Sequence, residues 1–86
     1  MSYKNKTYQG WRNYFTWNVA LFINNEANLY FSARNFMKNY SGRTPYISFI
    51  EFCGFTKYHC TIEGVRFFDK RISRREMNNY MKELIN

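Results

Sequence analysis

From Asn13 to about Asn24 the apolar side chains fall on two helical lines, with Tyr14, Trp17 and Leu21 on one and Phe15, Val19, Phe22 and Ile23 on the other. Recurrence at three and four residues is the period of an α-helix, and two such lines predict a helix buried on more than one side. We expect this helix to be the central element. Asn24 and Asn25 mark the place where it stops and a second begins, because asparagine tolerates the left-handed conformation and also caps helix starts. A single stripe then runs through Leu29, Ala33, Phe36, Met37 and Tyr40. So short a connection predicts an antiparallel helical hairpin, ended by Ser41, Gly42 and Arg43.

Thr44 followed by Pro45 is a helix start: threonine can cap, and proline suits a first turn where its missing N–H is not needed. This third helix should run to about Cys53, with Ile47, Ile50 and Cys53 on one side, and stop near Gly54. The period then changes. Tyr58, Cys60 and Ile62 alternate with His59, Thr61 and Glu63, which predicts a short extended hairpin or a packed loop near residues 55–71. Ser73 and Glu76 form the S-x-x-E capping box, in which each side chain satisfies a backbone N–H of the first turn. The stripe Met77, Tyr80, Met81, Leu84, Ile85 completes a helix from about Arg74 to Leu84. The fold class is therefore mainly α, a compact bundle of about four short helices. Residues 1–9, polar and carrying Lys4 and Lys6, read as a flexible basic arm, and residues 10–86 as one helical domain.

At 86 residues there is room for one core only. Composition shows how so small a core can suffice, since nine Phe, eight Tyr and two Trp make 22% of the chain aromatic. Each buried ring removes about 150–250 Å² from water, so neither disulfide nor metal is required. Cys53 and Cys60 are too few for a disulfide framework, and with no secretory leader in front of them they are expected to be reduced thiols of a cytosolic protein. The longest apolar run, Val19 to Ile23, is far short of a membrane span of about 20 residues, so no membrane is expected.

Thirteen Lys and Arg against six Asp and Glu give a formal charge of +7. A field of that sign favours nucleic acid, an anionic membrane or an acidic protein surface, without choosing among them, and it also keeps a small domain soluble. Lys70, Arg71, Arg74 and Arg75 stand before and within the first turn of the last helix, where the macrodipole disfavours cations by about 0.3–1 kcal/mol each. Helix start and cations together could form a site for phosphate or for a carboxylate-rich partner. Along the same helix Arg75, Asn78, Asn79 and Lys82 share a polar face opposite Met77. A solvated face pairing locally with Asp69 and Glu76 explains these cations equally well.

The cluster Trp11, Asn13, Tyr14, Thr16, Trp17, Asn18 mixes rings with hydrogen-bonding groups, as interface hot spots do. A core this small needs its large rings, so we assign them to it, with Thr16 and Asn18 satisfying local backbone and only Trp11 partly exposed. Cys53, His59 and Cys60 match no paired metal-ligand spacing. Glu26, Glu51, Glu63, Asp69, Glu76 and Glu83 include no pair marked by spacing for acid–base work, and the four glycines form no phosphate-cradling loop. No catalytic centre, metal site or cofactor is expected. A membrane-surface role for the last helix conflicts with the need of the core for its Met77 to Ile85 stripe.

The run Gly10-Trp11-Arg12-Asn13-Tyr14-Phe15-Thr16-Trp17-Asn18-Val19-Ala20-Leu21-Phe22-Ile23-Asn24-Asn25-Glu26, with Leu29-Tyr30 behind it, resembles the opening signature of a family of small uncharacterised tailed-phage proteins, many from cyanophages. Members read G-W-x-N-Y-x-T-W-N-V-x-L-W-I, then an acidic or amide-rich turn, then L-Y. Gly64-Val65-Arg66-Phe67 and the closing amphipathic helix resemble the second half of that family. Phe22 stands where Trp is usual, and Asn24-Asn25-Glu26-Ala27 where a more acidic turn ending in Gly is common. The resemblance implies an accessory protein made in the host bacterial cytoplasm, and no chemistry. The expectation is a non-enzymatic protein that binds and modulates a host macromolecule, namely a host protein with an acidic surface, through Trp11, Lys70, Arg71, Arg74, Arg75, Asn78 and Lys82. The alternative is a sequence-tolerant nucleic-acid binder.

Overall fold

Asn13, in extended conformation, starts the first helix by accepting the Thr16 N–H at 2.9 Å. In the computed structural model, which describes residues 8–85, the helices are α1 (Tyr14–Asn25), α2 (Ala27–Lys38), α3 (Pro45–Phe52) and α4 (Arg74–Glu83). The protein is thus a mainly α, small four-helix bundle. Residues 1–7 of the expected arm lie outside the described residues. Its last two residues, Tyr8 and Gln9, belong to the domain instead: Tyr8 and Trp11 exchange backbone hydrogen bonds at 2.7 and 2.8 Å. Gly10, at φ 86°, makes that tight turn, and the Tyr8 ring packs edge-on against Trp17 at 4.9 Å.

The break between α1 and α2 falls at Glu26 rather than at the asparagines. Glu26 alone is extended (φ −94°, ψ 103°), and it gives its N–H to the Phe22 carbonyl while its own carbonyl takes the Tyr30 N–H. Asn24 and Asn25 complete the last turn of α1, where the Asn24 amide oxygen accepts the Tyr80 hydroxyl at 3.4 Å. The α2 stripe is as expected, with Ala33 and Met37 buried and Leu29, Phe36 and Tyr40 half-buried. At the start of α3 the Thr44 side chain makes no cap bond, because its hydroxyl lies with those of Tyr40 and Ser48. Asn78 of α4 supplies the missing acceptor and takes the Tyr46 N–H at 3.0 Å.

Thirteen apolar residues make the core: Val19, Ala20 and Ile23 from α1, Ala33 and Met37 from α2, Tyr46, Phe49 and Ile50 from α3, Met77 and Met81 from α4, and Val65, Phe67 and Ile72 from the connection before α4. That last group explains why α1 is not the central helix. Both α2 and α4 pack on all three other helices, whereas the backbones of α1 and α3 stay apart. The connection lies between them. Phe67 stacks on Phe55 at 4.8 Å, meets Phe22 of α1 at 5.7 Å, and its carbonyl accepts the hydroxyl of Tyr46 in α3 at 2.7 Å. Burial pushes the Tyr46 hydroxyl pKa upward and so keeps it a donor.

The connection is mostly a packed loop with one short antiparallel turn, within the range expected for residues 55–71. Cys60 and Arg66 pair, Thr61 gives its N–H to Val65 at 2.9 Å, and Gly64 closes the turn at φ 92°, where a side chain would be strained. Asn18 ties this turn to α1: its amide oxygen accepts the buried Thr61 hydroxyl at 2.5 Å and its amide donates to Glu63 at 3.1 Å. Asn18 therefore satisfies groups far away in sequence, not the local backbone we assigned to it. Thr16 does the same, accepting the Ser73 N–H at 2.8 Å.

Candidate functional site

The start of α4 is built by residues from both ends of the chain. Ser73 caps it by accepting the Glu76 N–H at 3.2 Å, as the S-x-x-E pattern predicts. The reciprocal bond of the box is absent, because Thr16 already takes the Ser73 N–H. The Glu76 carboxylate accepts the Arg12 N–H at 2.8 Å instead, and the Asn13 amide donates to the Arg71 carbonyl at 2.7 Å. The starts of α1 and α4 are thus laced together. This fixes the segment 69–75 that carries the candidate cations.

Those cations do not form one equivalent set. Arg71 is held on two sides: its guanidinium binds both oxygens of Asp69, at 3.0 and 2.8 Å, and lies 3.7 Å from the centre of the Phe15 ring. The Arg71 hydrogen bond holds the Asp69 carboxyl below its usual pKa, and the same bond raises that of Arg71. The Arg71 charge is largely answered within the protein. Lys70, Arg74, Arg75 and Lys82 are exposed, and among the described residues no cation other than Arg71 makes an ion pair. Arg66 was not among the residues singled out from sequence. It is exposed and near enough to Asp69 to help lower its pKa, which extends the cationic side from α4 onto the packed loop. The only sequence signal for it was a cation in an irregular segment.

Asn78 has a structural task, since its half-buried side chain receives the Tyr46 N–H. Trp11 is half-buried, as expected, but it stands apart from the cations. Its ring packs on Tyr80 at 6.0 Å, and with Gly10, Glu76, Asn79 and Glu83 the two line a shallow hollow of about 210 Å³. On a helix turning about 100° per residue, Glu76 and Glu83 form the ridge next to Arg75 and Lys82. Trp11 therefore sits on an acidic ridge and Arg75 and Lys82 on a basic one.

The three residues weighed for metal or nucleophile chemistry have separate surroundings. Cys53 ends α3 and burial pushes its thiol pKa up, Cys60 is exposed in the turn, and the His59 Nδ1 accepts the Thr56 N–H at 2.9 Å while its ring stacks on Phe55. Among the described residues no three His, Cys, Asp or Glu side chains gather as a metal site would need. No helix among them is long and apolar enough to cross a membrane.

The Asp69–Arg71 pair gives a pH prediction. A carboxylate with a depressed folded pKa stabilises the fold above its unfolded value of about 3.9, and that contribution is lost as pH falls through the folded value. Urea titrations followed by circular dichroism should therefore show a shallower loss of stability below about pH 4 for Asp69→Asn than for the parent chain. Parallel acid limbs would remove the pair from the stability of the loop.

With the geometry established, comparison with known proteins adds a lineage. A family model described as a family of unknown function, DUF7249, matches residues 4–86. The chain belongs to DUF7249. The match takes in all four helices, the loop that carries Phe67 and the cationic side, so the whole described bundle is the DUF7249 unit. No curated protein and no solved structure matches this DUF7249 chain.

Proposed function

We propose that the protein is a non-catalytic binding domain that docks its cationic side on an acidic surface of a host protein and thereby modulates it. The observation that carries this reading is the group Arg66, Lys70, Arg74, Arg75 and Lys82, exposed and without ion pairs among the described residues, on a framework laced at its base. Cations held by a rigid element lose little freedom on binding and speed encounter with an anionic surface. The resemblance of the Gly10–Glu26 run to small phage proteins supplies the setting, an infected bacterial cytoplasm. A protein rather than a nucleic acid is favoured by the fate of Phe15. Phe15 lies beside Arg71, and the Arg71 guanidinium covers the face that would otherwise be open to stack on a base.

Capture from nuclease-treated host lysate should recover one stoichiometric protein with the parent chain. The triple variant Arg74→Glu, Arg75→Glu, Lys82→Glu should lose it while keeping its circular dichroism spectrum, because all three side chains are exposed. Recovery that vanishes with nuclease, together with affinity that falls steeply with salt, would make nucleic acid the partner and overturn the reading.

A further inference from the structure

Between the end of α3 and the pairing of Cys60 with Arg66, the chain turns from Thr56 to His59, and the His59 ring holds the turn shut. Its Nδ1 accepts the Thr56 N–H at 2.9 Å and lies 3.1 Å from the Thr56 hydroxyl, which in turn accepts the Tyr58 N–H at 3.2 Å. The His59 N–H donates to the Thr56 carbonyl at 3.1 Å. A backbone N–H can only donate, so this contact fixes the state of the ring: Nδ1 carries no proton, and the imidazole is neutral with its N–H at Nε2. We propose that the turn is a pH-operated latch, closed while His59 is neutral and opened when its ring takes up a second proton.

Protonation places an N–H at Nδ1, directed at the Thr56 N–H, so two donors meet where a donor met an acceptor. Turning the ring over does not restore the bond, because both nitrogens of an imidazolium are donors. The stack on Phe55 does not resist the change. The two rings lie 5.0 Å apart at 18°, and a cation over a phenyl face is attracted to it. The ring can therefore keep its place while the turn lets go. Its charged and titratable neighbours are Lys57, Tyr58 and Cys60 in the same segment and Arg66 across the pairing, and behind Phe55 lies the apolar ring of Phe67 at 4.8 Å. Among the described residues no carboxylate is within ion-pair distance of His59, so none holds the imidazolium in the closed position. Opening is local, since the Phe67 N–H donates to the His59 carbonyl at 3.2 Å and not to the ring. Histidine is the side chain whose ordinary charge change falls between pH 5 and 8, which sets the range in which the latch works.

Amide exchange measured by NMR on the parent chain, each rate referred to that of an unstructured peptide at the same pH, tests this directly. Thr56 protection should fall about three- to tenfold from pH 8 to pH 5, the worth of one hydrogen bond, in step with the titration of the His59 ring resonances. Phe67 protection should stay constant. In His59→Ala, Thr56 should lack protection at both pH values, and because His59 is exposed this variant should keep the parent helical signal. Constant Thr56 protection while the ring titrates, a fall shared by Phe67, or a Thr56 amide still protected in His59→Ala would overturn the proposal.

Discussion

Phe67→Ala is expected to lower the stability of the protein by about 3–5 kcal/mol, the usual cost of emptying a phenylalanine site in a core. Small domains have about 5–15 kcal/mol in total, so the variant should lose a large share of its stability. The reason is positional. Phe67 is 2% exposed and fills the gap between two helices whose backbones stay apart, with Phe22 of α1 on one side and Phe55, just past α3, on the other. Its removal leaves a cavity that α1 and α3 can close only by moving toward each other, and the loop between them blocks that movement. Phe67→Leu keeps most of the volume and should cost under about 1.5 kcal/mol, close to other volume-conserving swaps. Urea unfolding followed by circular dichroism measures both. A cost for alanine no larger than for leucine would mean that the ring is not the wedge between the two helices.

Phe67 also shows what could not be read from the chain. The stripes of α2 and α4 were legible because each helix turns one face inward, so Ala33, Met37, Met77 and Met81 fall at the period their burial demands. Phe67 lies in an irregular segment, where no period separates a core ring from an exposed one. The same limit hides backbone partners. Pro45 signals the start of α3, but the acceptor for the Tyr46 N–H comes from Asn78, 32 residues later, and nothing local marks it. Asn78 therefore read as part of a polar binding face. Half of the Ser73–Glu76 box was legible and half was not, since the Ser73 N–H goes to Thr16 across 57 residues.

The candidate site was legible as a charge and illegible as a surface. Lys70, Arg74, Arg75 and Lys82 are exposed as their sequence positions implied, and local pairing with Asp69 was legible too, but position along the chain does not show that it falls to Arg71 or that Phe15 lies against the same guanidinium. Nor does it show that Trp11 packs on Tyr80 beside Glu76 and Glu83. The exposure of Phe52 was invisible for a different reason: Phe52 continues the apolar run of α3, and only the burial of Phe49 and Ile50 reveals which of these side chains the core leaves outside.

The second large effect concerns Thr16, whose hydroxyl is the centre of the lacing between α1 and α4. It is fully buried, donates to the Asn13 side chain at 2.8 Å and accepts the Ser73 N–H at 2.8 Å. Thr16→Val keeps the shape and deletes both bonds, leaving the Ser73 N–H without its acceptor at a part-buried position. The expected loss is about 1–3 kcal/mol, the cost of stranding a buried polar group. Asn13→Ala removes the cap of α1, worth about 0.5–2 kcal/mol, together with the bond from its amide to the Arg71 carbonyl. Because the Asn13 oxygen serves both the Thr16 N–H and the Thr16 hydroxyl, the two substitutions remove a shared interaction. The double variant should therefore fall short of the summed single effects by about 0.5 kcal/mol or more. Strict additivity in urea titrations would mean that Asn13 and Thr16 act separately. Coupling would mean that the cap of α1 and the start of α4 are one structure, so that loosening it frees the segment from Lys70 to Arg75 on which the cations are mounted.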